Sequence, residues 1–427
     1  MQQVSTETLI EKSRVGKLHV TVLAWTMFLI LFDGYDLSIL GVVIPVLHEE
    51  WGISTVMLGS VASLTLIGSL IGAFVAGVAA DHVGRKKVLA CCVILFSVFT
   101  FVNAFATSMT TFAVCRFIAG LGLGGIPPLV VALTAEYAPK HLRNQFVGIM
   151  FSGYSIGGIL VALLGMYMMP HTGWQGLFIV GALPLLLLPF MMKSLPESLP
   201  FLAATDREEM QHVLQRLHID TTHLQITVKQ RVKSPLRVLF TRQYRRITLS
   251  FWTICFMGLL LVYGLSTWLP QMMRAEGYGI TSSILFLLVL NLGAIIGSLV
   301  GGRCADRFGS KRVQTILYAA GALSLLLLMC HFSSPWLYIL IAISGAASIG
   351  AQNLNNACNA SYYDASSRGA ALGAALSVGR IGAIIGPSIG GLLLAAEVAS
   401  YWHYILFAIP ACIAACMYVF LPKRKEG

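Results

Sequence analysis

Two aspartates stand three residues apart in the middle of an apolar run, in Phe32-Asp33-Gly34-Tyr35-Asp36. An ionised side chain at the centre of a bilayer costs about 3 kcal/mol or more unless it is paired or hydrated. At this spacing both carboxylates share one helical face, and Gly34 between them permits close backbone approach. Held together in a low dielectric, two carboxylates resist ionising at once and readily keep and exchange a proton between them. That is the chemistry of a proton-coupling site at Asp33 and Asp36; the other reading is a structural pair neutralised by a basic residue of a neighbouring helix. Arg116, in the outer third of another apolar run, is either a counter-ion for Asp36 or a direct participant in transport. Arg380 lies deep in a third run, between Gly379 and Gly382, which are expected to leave room around a guanidinium. A planar guanidinium binds a carboxylate through two parallel bonds, so Arg380 is a candidate substrate anchor, a structural ion pair being the alternative. Gln352, Asn355, Asn356 and Asn359 fall on one helical face and bond either a polar substrate or neighbouring helices. Tyr35, with Trp25, Tyr263 and Trp268, has a ring suited to stacking on a planar ligand, although interfacial packing is the commoner use of each Trp.

These residues must be carried by membrane-spanning helices. The chain has 427 residues, 57% hydrophobic and 11% charged, where a soluble domain has roughly 25% charged residues. That composition excludes an ordinary soluble protein and a disordered one. Apolar runs fall at about 19–47, 55–79, 88–107, 110–137, 144–169, 174–193, 247–270, 280–303, 313–332, 335–360, 370–394 and 402–421. About 20 apolar residues cross a bilayer as a helix, so the expected fold is an all-α membrane protein of twelve spans. If the spans alternate, nearly every Lys and Arg lies on one side: Lys12, Arg14 and Lys17 before the first span, clusters such as Arg85-Lys86-Lys87 and Arg307 to Arg312, and Lys423, Arg424 and Lys425 at the end. The opposite loops hold His48, Glu49, Glu50, Glu276 and Glu397 with a single basic residue, Arg274. The positive-inside rule then places both termini in the cytoplasm. The net charge of +11 is thereby an orientation signal that requires no nucleic acid. The polar first 18 residues lack the pattern of a secretory signal.

Sliding the chain along itself by 225 residues aligns Gly68–Val88 with Gly293–Val313, ten of 21 positions being identical. The same offset matches Pro45 with Pro270, Arg143 with Arg368, Gly148 with Gly373 and Gly157 with Gly382. The organisation expected is a tail (1–18), a six-helix half (19–193), a polar cytoplasmic loop (194–246), a second six-helix half (247–421) and a short tail (422–427). An even number of spans separates the copies, so the pseudo-symmetric halves are parallel repeats. In the repeated loop Gly77 is expected to let helices approach, Asp81 to accept a charge-assisted bond from an Arg or a helix N-terminus, and Gly84 to make the turn before Arg85. Asp306 and Gly309 repeat the pattern with Ser310 in place of Arg. Glu136, at the end of the fourth run ahead of Lys140 and Arg143, is expected in a gate ion pair.

Two matches are discounted. Gly120-Leu-Gly122-Leu-Gly-Gly125 fits a dinucleotide pattern and Gly153-Tyr-Ser155-Ile-Gly157 a hydrolase elbow, but both lie in mid-membrane, without the strand or the acid and histidine that such chemistry needs. The nine cysteines have no zinc-type spacing and are expected to be reduced. No metal and no cofactor are expected, the proton being the coupling ion.

The run Gly77-Val-Ala-Ala-Asp81-His-Val-Gly84-Arg85-Lys86-Lys87, between the second and third spans, resembles the signature of the major facilitator superfamily, and Gly302 to Arg312 resembles its second copy. Within that superfamily, Asp33-Gly34-Tyr35-Asp36, Arg116-Phe-Ile-Ala-Gly-Leu-Gly, Phe151 to Gly158, Leu195-Pro-Glu-Ser-Leu-Pro-Phe201 and Gly379 to Pro387 resemble the aromatic acid:proton symporter family. The resemblance covers nearly the whole chain. It implies uptake of an aromatic carboxylate, benzoate or a hydroxybenzoate, with protons, across a bacterial inner membrane, by a carrier expected to act as a monomer. It further implies that the first-span aspartates, Asp81, Asp306 and Arg380 are needed for transport, and that the Asp81 loop latches the inward gate; Ser310 departs from the pattern. A carrier of muconate or a phenylpropionate is the alternative. A proton-driven efflux antiporter is less well supported, since Gly157 is followed by Gly158 where such exporters have Gly-Pro.

Overall fold

A computed structural model describes residues 2–5, 15–139, 142–217, 224–227, 236–330, 333–363, 367–396, 399 and 401–422. Lys12, Arg14, Lys140, Glu397, Lys423, Arg424 and Lys425 lie outside the described residues.

Among the described residues, eleven helices are long and apolar enough to cross a membrane. In chain order the first five are Lys17–Trp51, Thr55–Val83, Arg85–Asn103, Met109–Tyr137 and Arg143–Thr172. The sixth span is Gln175–Ser194, interrupted at Ala182 where Pro184 withholds an N–H from the ladder. The seventh and eighth are Arg245–Ala275 and Ile280–Phe308. The tenth is Pro335–Ser361, followed by Arg368–Ala395 and Tyr401–Phe420 as the eleventh and twelfth. The ninth expected run is also a helix, Ser310–Leu327, but Lys311, Arg312 and Gln314 occupy its first turns and keep it outside that apolar set. The twelve runs therefore all fold as helices, one of them too polar at its head to be recognised as a span by composition. Exposed Phe74, Val75, Leu186, Phe190, Ile316 and Phe420 give the bundle the apolar exterior that acyl chains solvate.

Two short turns explain the loop signatures. Gly84 has φ 100° and Gly309 φ 90°, backbone angles at which a side chain is strained. Each lets the chain reverse directly from one helix into the next.

The 194–246 segment is not a bare linker. Leu199–Thr205 and Arg207–Arg216 are helices, the second capped by Asp206, whose carboxylate accepts from the Glu209 N–H at 3.0 Å. Glu208 and Glu209 in its first turn and Arg216 in its last suit the helix dipole. Leu199, Leu202, Met210, Val213, Leu214 and Leu217 join the same buried cluster as Leu18, Val22, Leu89 and Tyr137. One addition to the all-α expectation is a parallel ladder of Gln2–Ser5 with Leu224–Thr227.

By its contacts the chain forms two compact units, Met1–Tyr35 with Ile67–Gly157 and Phe178–Arg231, and Asp36–Leu66 with Gly158–Leu177 and Val232–Gly427.

Candidate transport site and gates

The first span runs unbroken from one unit into the other, Asp33 belonging to the first and Asp36 to the second. Asp36 is 2% exposed and Asp33 half-buried. Gly34 presses on the backbone of the fifth span: a Cβ there would overlap the Tyr154 carbonyl. The aspartates thus stand on a backbone segment with no freedom to shift sideways. Tyr35, expected to stack on a ligand, is fully buried against Phe32, ring centroids 5.8 Å apart. Its ring also lies 3.4 Å from where a Cβ on Gly181 of the sixth span would stand. The Trp25 indole donates to Ser194 Oγ at 2.6 Å, which likewise ties it to a neighbouring helix.

Arg116 is 1% exposed, with its guanidinium carbon 6.0 Å from the centre of the Phe178 ring. Phe178 meets Phe112 edge-on at 5.6 Å, so the cation lies on an aromatic shelf that offers it the ring's negative face. It belongs to the first unit and Asp36 to the second.

In the second unit Arg380 is half-buried on the eleventh span. The flanking glycines do something other than make room for it. A Cβ on Gly382 would strike the Phe256 carbonyl, and one on Gly379 would crowd Leu259 and the Cys255 carbonyl. They seat the eleventh span directly on the backbone of the seventh, which fixes where the Arg380 side chain starts.

The polar face of the tenth span divides. Asn355 is fully buried and committed to neighbouring helices: its Nδ2 donates to Cys255 Sγ at 3.1 Å, and its Oδ1 accepts from Tyr418 OH at 2.5 Å. Of the two readings of this residue, the structure supports helix packing. Gln352 and Asn359 are buried and Asn356 half-buried. A π-helical turn, Ala346–Gly350, interrupts the tenth span just before Gln352.

The second unit also holds a closed seam on the side of the acidic loops, which sequence reasoning missed. Thr55 Oγ1 donates to the Gly391 carbonyl at 3.0 Å, and Ser63 Oγ donates to the Ile384 carbonyl at 2.5 Å and lies 2.7 Å from Ser388 Oγ. A Cβ on Gly41 would strike the Ser266 carbonyl, and Trp268, sealed from solvent, donates its indole N–H to the Pro387 carbonyl at 2.8 Å. Arg274 pairs with Glu49 at the end of the seam. The acidic-loop ends of the first two spans are therefore packed against the seventh and eleventh. Such small polar residues in apolar helices were visible only as isolated serines and threonines.

At the basic-loop end of the first unit, Arg85 forms an ion pair with Glu136, whose other oxygen accepts from Ser198 Oγ at 2.8 Å. Glu136 is thus in an ion pair, as expected, and the partner is Arg85; Arg143 stands half-buried at the head of the fifth span. Asp81 is exposed, in a surface pocket with His82, Arg85, Ser198 and Phe201. The N-terminus of the third span is capped instead by Glu197, 5% exposed, which accepts from the Lys86 N–H at 3.0 Å and the Ser198 N–H at 2.8 Å. Tyr137 OH donates to the Glu197 carbonyl at 2.5 Å. The only sequence signal for Glu197 was its place in the Leu195-to-Phe201 run. Gly77 does not act as expected: it is exposed, with nothing within 4 Å of where a Cβ would stand. Close helix approach occurs one turn earlier, where Gly72 meets the Leu121 carbonyl and Gly124 meets that of Ser69. The Gly120–Gly125 run is thereby a packing surface. In the second copy Asp306 and Gly309 are exposed, and Lys311 donates to the Leu421 carbonyl.

The family model of the Major Facilitator Superfamily matches residues 26–330 and 287–427. A protein of Acinetobacter baylyi named a benzoate transport protein is 40% identical over 99% of this chain and 94% of its own length. A gentisate transporter of Corynebacterium glutamicum is 36% identical over 93% of this chain and 86% of its own length. Among solved structures, the xylose transporter XylE of E. coli in a partially occluded inward-open conformation superposes with a TM-score of 0.77 at 17% identity, covering 95% of this chain and 100% of that one. That likeness concerns the fold alone.

Proposed function

This chain belongs to the Major Facilitator Superfamily and is a transporter, not an enzyme, and on that premise we propose that it imports a small aromatic carboxylate, benzoate or a hydroxybenzoate, together with protons. The observation that carries the reading is the end-to-end likeness to carriers named for benzoate and gentisate. Supporting it are a carboxylate pair in mid-span and a guanidinium deep in the second half, the two charges that a proton and an organic anion require.

In the cycle, Asp33 and Asp36 take up one proton between them, and the substrate carboxylate pairs with Arg380. Neutralising both makes movement through a low-dielectric interior less costly. The halves, 19–193 and 247–421, rock as bodies. The seam at Thr55, Ser63 and Trp268 closes one side, and the Arg85–Glu136 pair with the Glu197 cap latches the other. The bias of basic residues supports a bacterial inner membrane with both termini cytoplasmic, and one chain holds every group the cycle uses.

The test is uptake of radiolabelled benzoate by cells expressing the carrier, with 4-hydroxybenzoate, protocatechuate, muconate and phenylpropionates as competitors. Competition by the benzoates ahead of the others is expected. Uptake that only muconate or phenylpropionates compete for would replace the substrate assignment.

A further inference from the structure

Within the second unit, spans seven, nine and ten enclose polar groups whose hydrogen-bonding capacity is not filled. Gln352 is 6% exposed; its amide faces the Cys255 thiol, but neither Oε1 nor Nε2 makes a hydrogen bond of ordinary geometry, and the hydroxyl of the fully buried Tyr318 is not bonded either. Both aim at one place. A Cβ built on Gly258 would meet Gln352 Oε1 and Tyr318 OH, each at under 3.0 Å. The two oxygens accordingly stand no more than about 5 Å apart, a gap that one oxygen bridges with two bonds of about 2.7 Å. Buried polar atoms left unbonded cost more than the bonds themselves contribute, and protein interiors place water or ligand at such points.

The surroundings hold these groups in place. The π turn Ala346–Gly350 sets the register of Gln352, and such turns recur at functional positions. The Tyr318 ring stacks on Tyr418, centroids 5.9 Å apart, and Tyr418 is held by Asn355, which also bonds Cys255. Gly258 is the residue that the 225 offset sets against Asp33, so at the matching point the second half has open backbone and two neutral polar groups where the first has a carboxylate. Gln352, Tyr318, Asn355, Tyr418 and Cys255 provide no countercharge, which excludes an ion. An amide presenting donor and acceptor together with a phenol complements a group that both donates and accepts: a hydroxyl. Arg380, whose neighbour Gly379 packs on the Cys255 carbonyl one turn from Gly258, is the group suited to a carboxylate.

We propose that Gln352 and Tyr318, over Gly258, form a binding site for one neutral hydroxyl, supplied by a bound water or by the ring hydroxyl of an aromatic acid. The ring-hydroxyl source rests on the aromatic-acid reading; the site itself does not. The test uses the full-length carrier with Gln352→Met, Tyr318→Phe and both together, comparing thermal unfolding in detergent and inhibition of uptake by 3- and 4-hydroxybenzoate relative to benzoate. If the ring hydroxyl binds here, Gln352→Met shifts that ratio about tenfold, the loss expected from one buried hydrogen bond. If water binds, the ratio holds, each single variant lowers Tm, and the double lowers it by less than the two losses together. An unmoved ratio with additive or absent Tm losses overturns the proposal. Gly258→Ala, whose methyl group would meet Gln352 Oε1 and the Tyr318 hydroxyl and so occupy the place of the bound hydroxyl, gives the same readout if Gln352→Met does not fold. A wild-type carrier that moves no aromatic acid would remove the functional reading, while the Tm comparison would still decide the site.

Discussion

Arg85, at the head of the third span, is ion-paired to Glu136 at the foot of the fourth, and the 225 offset replaces the two with Ser310 and Ser361. Both partners are missing from the second copy, so the departure at Ser310 is half of a matched change. The pairing is one-sided: the first half carries a charged pair, while in the second Ser361 bonds its own helix at the Cys358 carbonyl. The side chains of the pair are 12% and 16% exposed, which leaves an unpartnered charge poorly hydrated when one is removed.

Arg85→Gln and Glu136→Gln are each expected to lower stability by about 1–3 kcal/mol and to reduce uptake severalfold. The charge-swapped double variant is expected to recover part of the loss. Ser310→Ala and Ser361→Ala should change stability by about 0.5 kcal/mol or less. Uptake normalised to inserted protein, with thermal unfolding in detergent, measures all five.

Glu197 caps a helix that the loop signature alone would assign to Asp81. Glu197→Ala leaves the Lys86 and Ser198 N–H groups without their acceptor and is expected to cost about 1–2 kcal/mol. Glu197→Gln keeps an acceptor without the charge and should fall between Ala and wild type. Asp81→Asn, at an exposed position, should leave unfolding unchanged whatever it does to transport.

Two glycines that look equivalent in sequence should behave oppositely. Gly34→Ala drives a methyl group into the Tyr154 backbone, where no side chain can yield, and is expected to cost about 1–3 kcal/mol. Gly77→Ala meets open space and should be neutral or stabilising by up to about 1 kcal/mol, through helix propensity. Matched unfolding and uptake measurements on the two variants separate packing from signature.

The spans were legible because hydrocarbon thickness sets a minimum apolar length, and the loop turns because Gly84 and Gly309 repeat in the chain. The ninth span was legible as the apolar run 313–332, although the helix itself begins at Ser310 and takes in Lys311 and Arg312. What could not be read were relations between helices distant in sequence. Asn355 and Gln352 lie on one face by periodicity, yet Asn355 is bonded to Tyr418 of the twelfth span and Gln352 makes no bond of that geometry. Gly379 and Gly382 were visible as glycines beside an arginine, but their contact with the seventh span depends on which backbone comes nearest. Glu197 was hidden for the same reason, since nothing local links it to the amide of Lys86.

Arg380 is the proposed carboxylate anchor. Arg380→Lys keeps the charge but loses the two-pronged geometry, and is expected to raise the KM for benzoate about tenfold or more. Arg380→Ala should abolish saturable uptake.

Proton coupling through Asp33 and Asp36 is the central claim. Its direct measurement is the lumenal pH of proteoliposomes holding a trapped pH dye, after benzoate is added outside at a pH where passive entry of benzoic acid is slow. Empty liposomes and Asp36→Asn and Asp33→Asn proteoliposomes of equal protein content supply the baseline. The account predicts rapid lumenal acidification with the wild type and only the passive rate with either variant. Benzoate entry without acidification above the empty liposomes, or wild-type acidification in the double Asn variant, would contradict it.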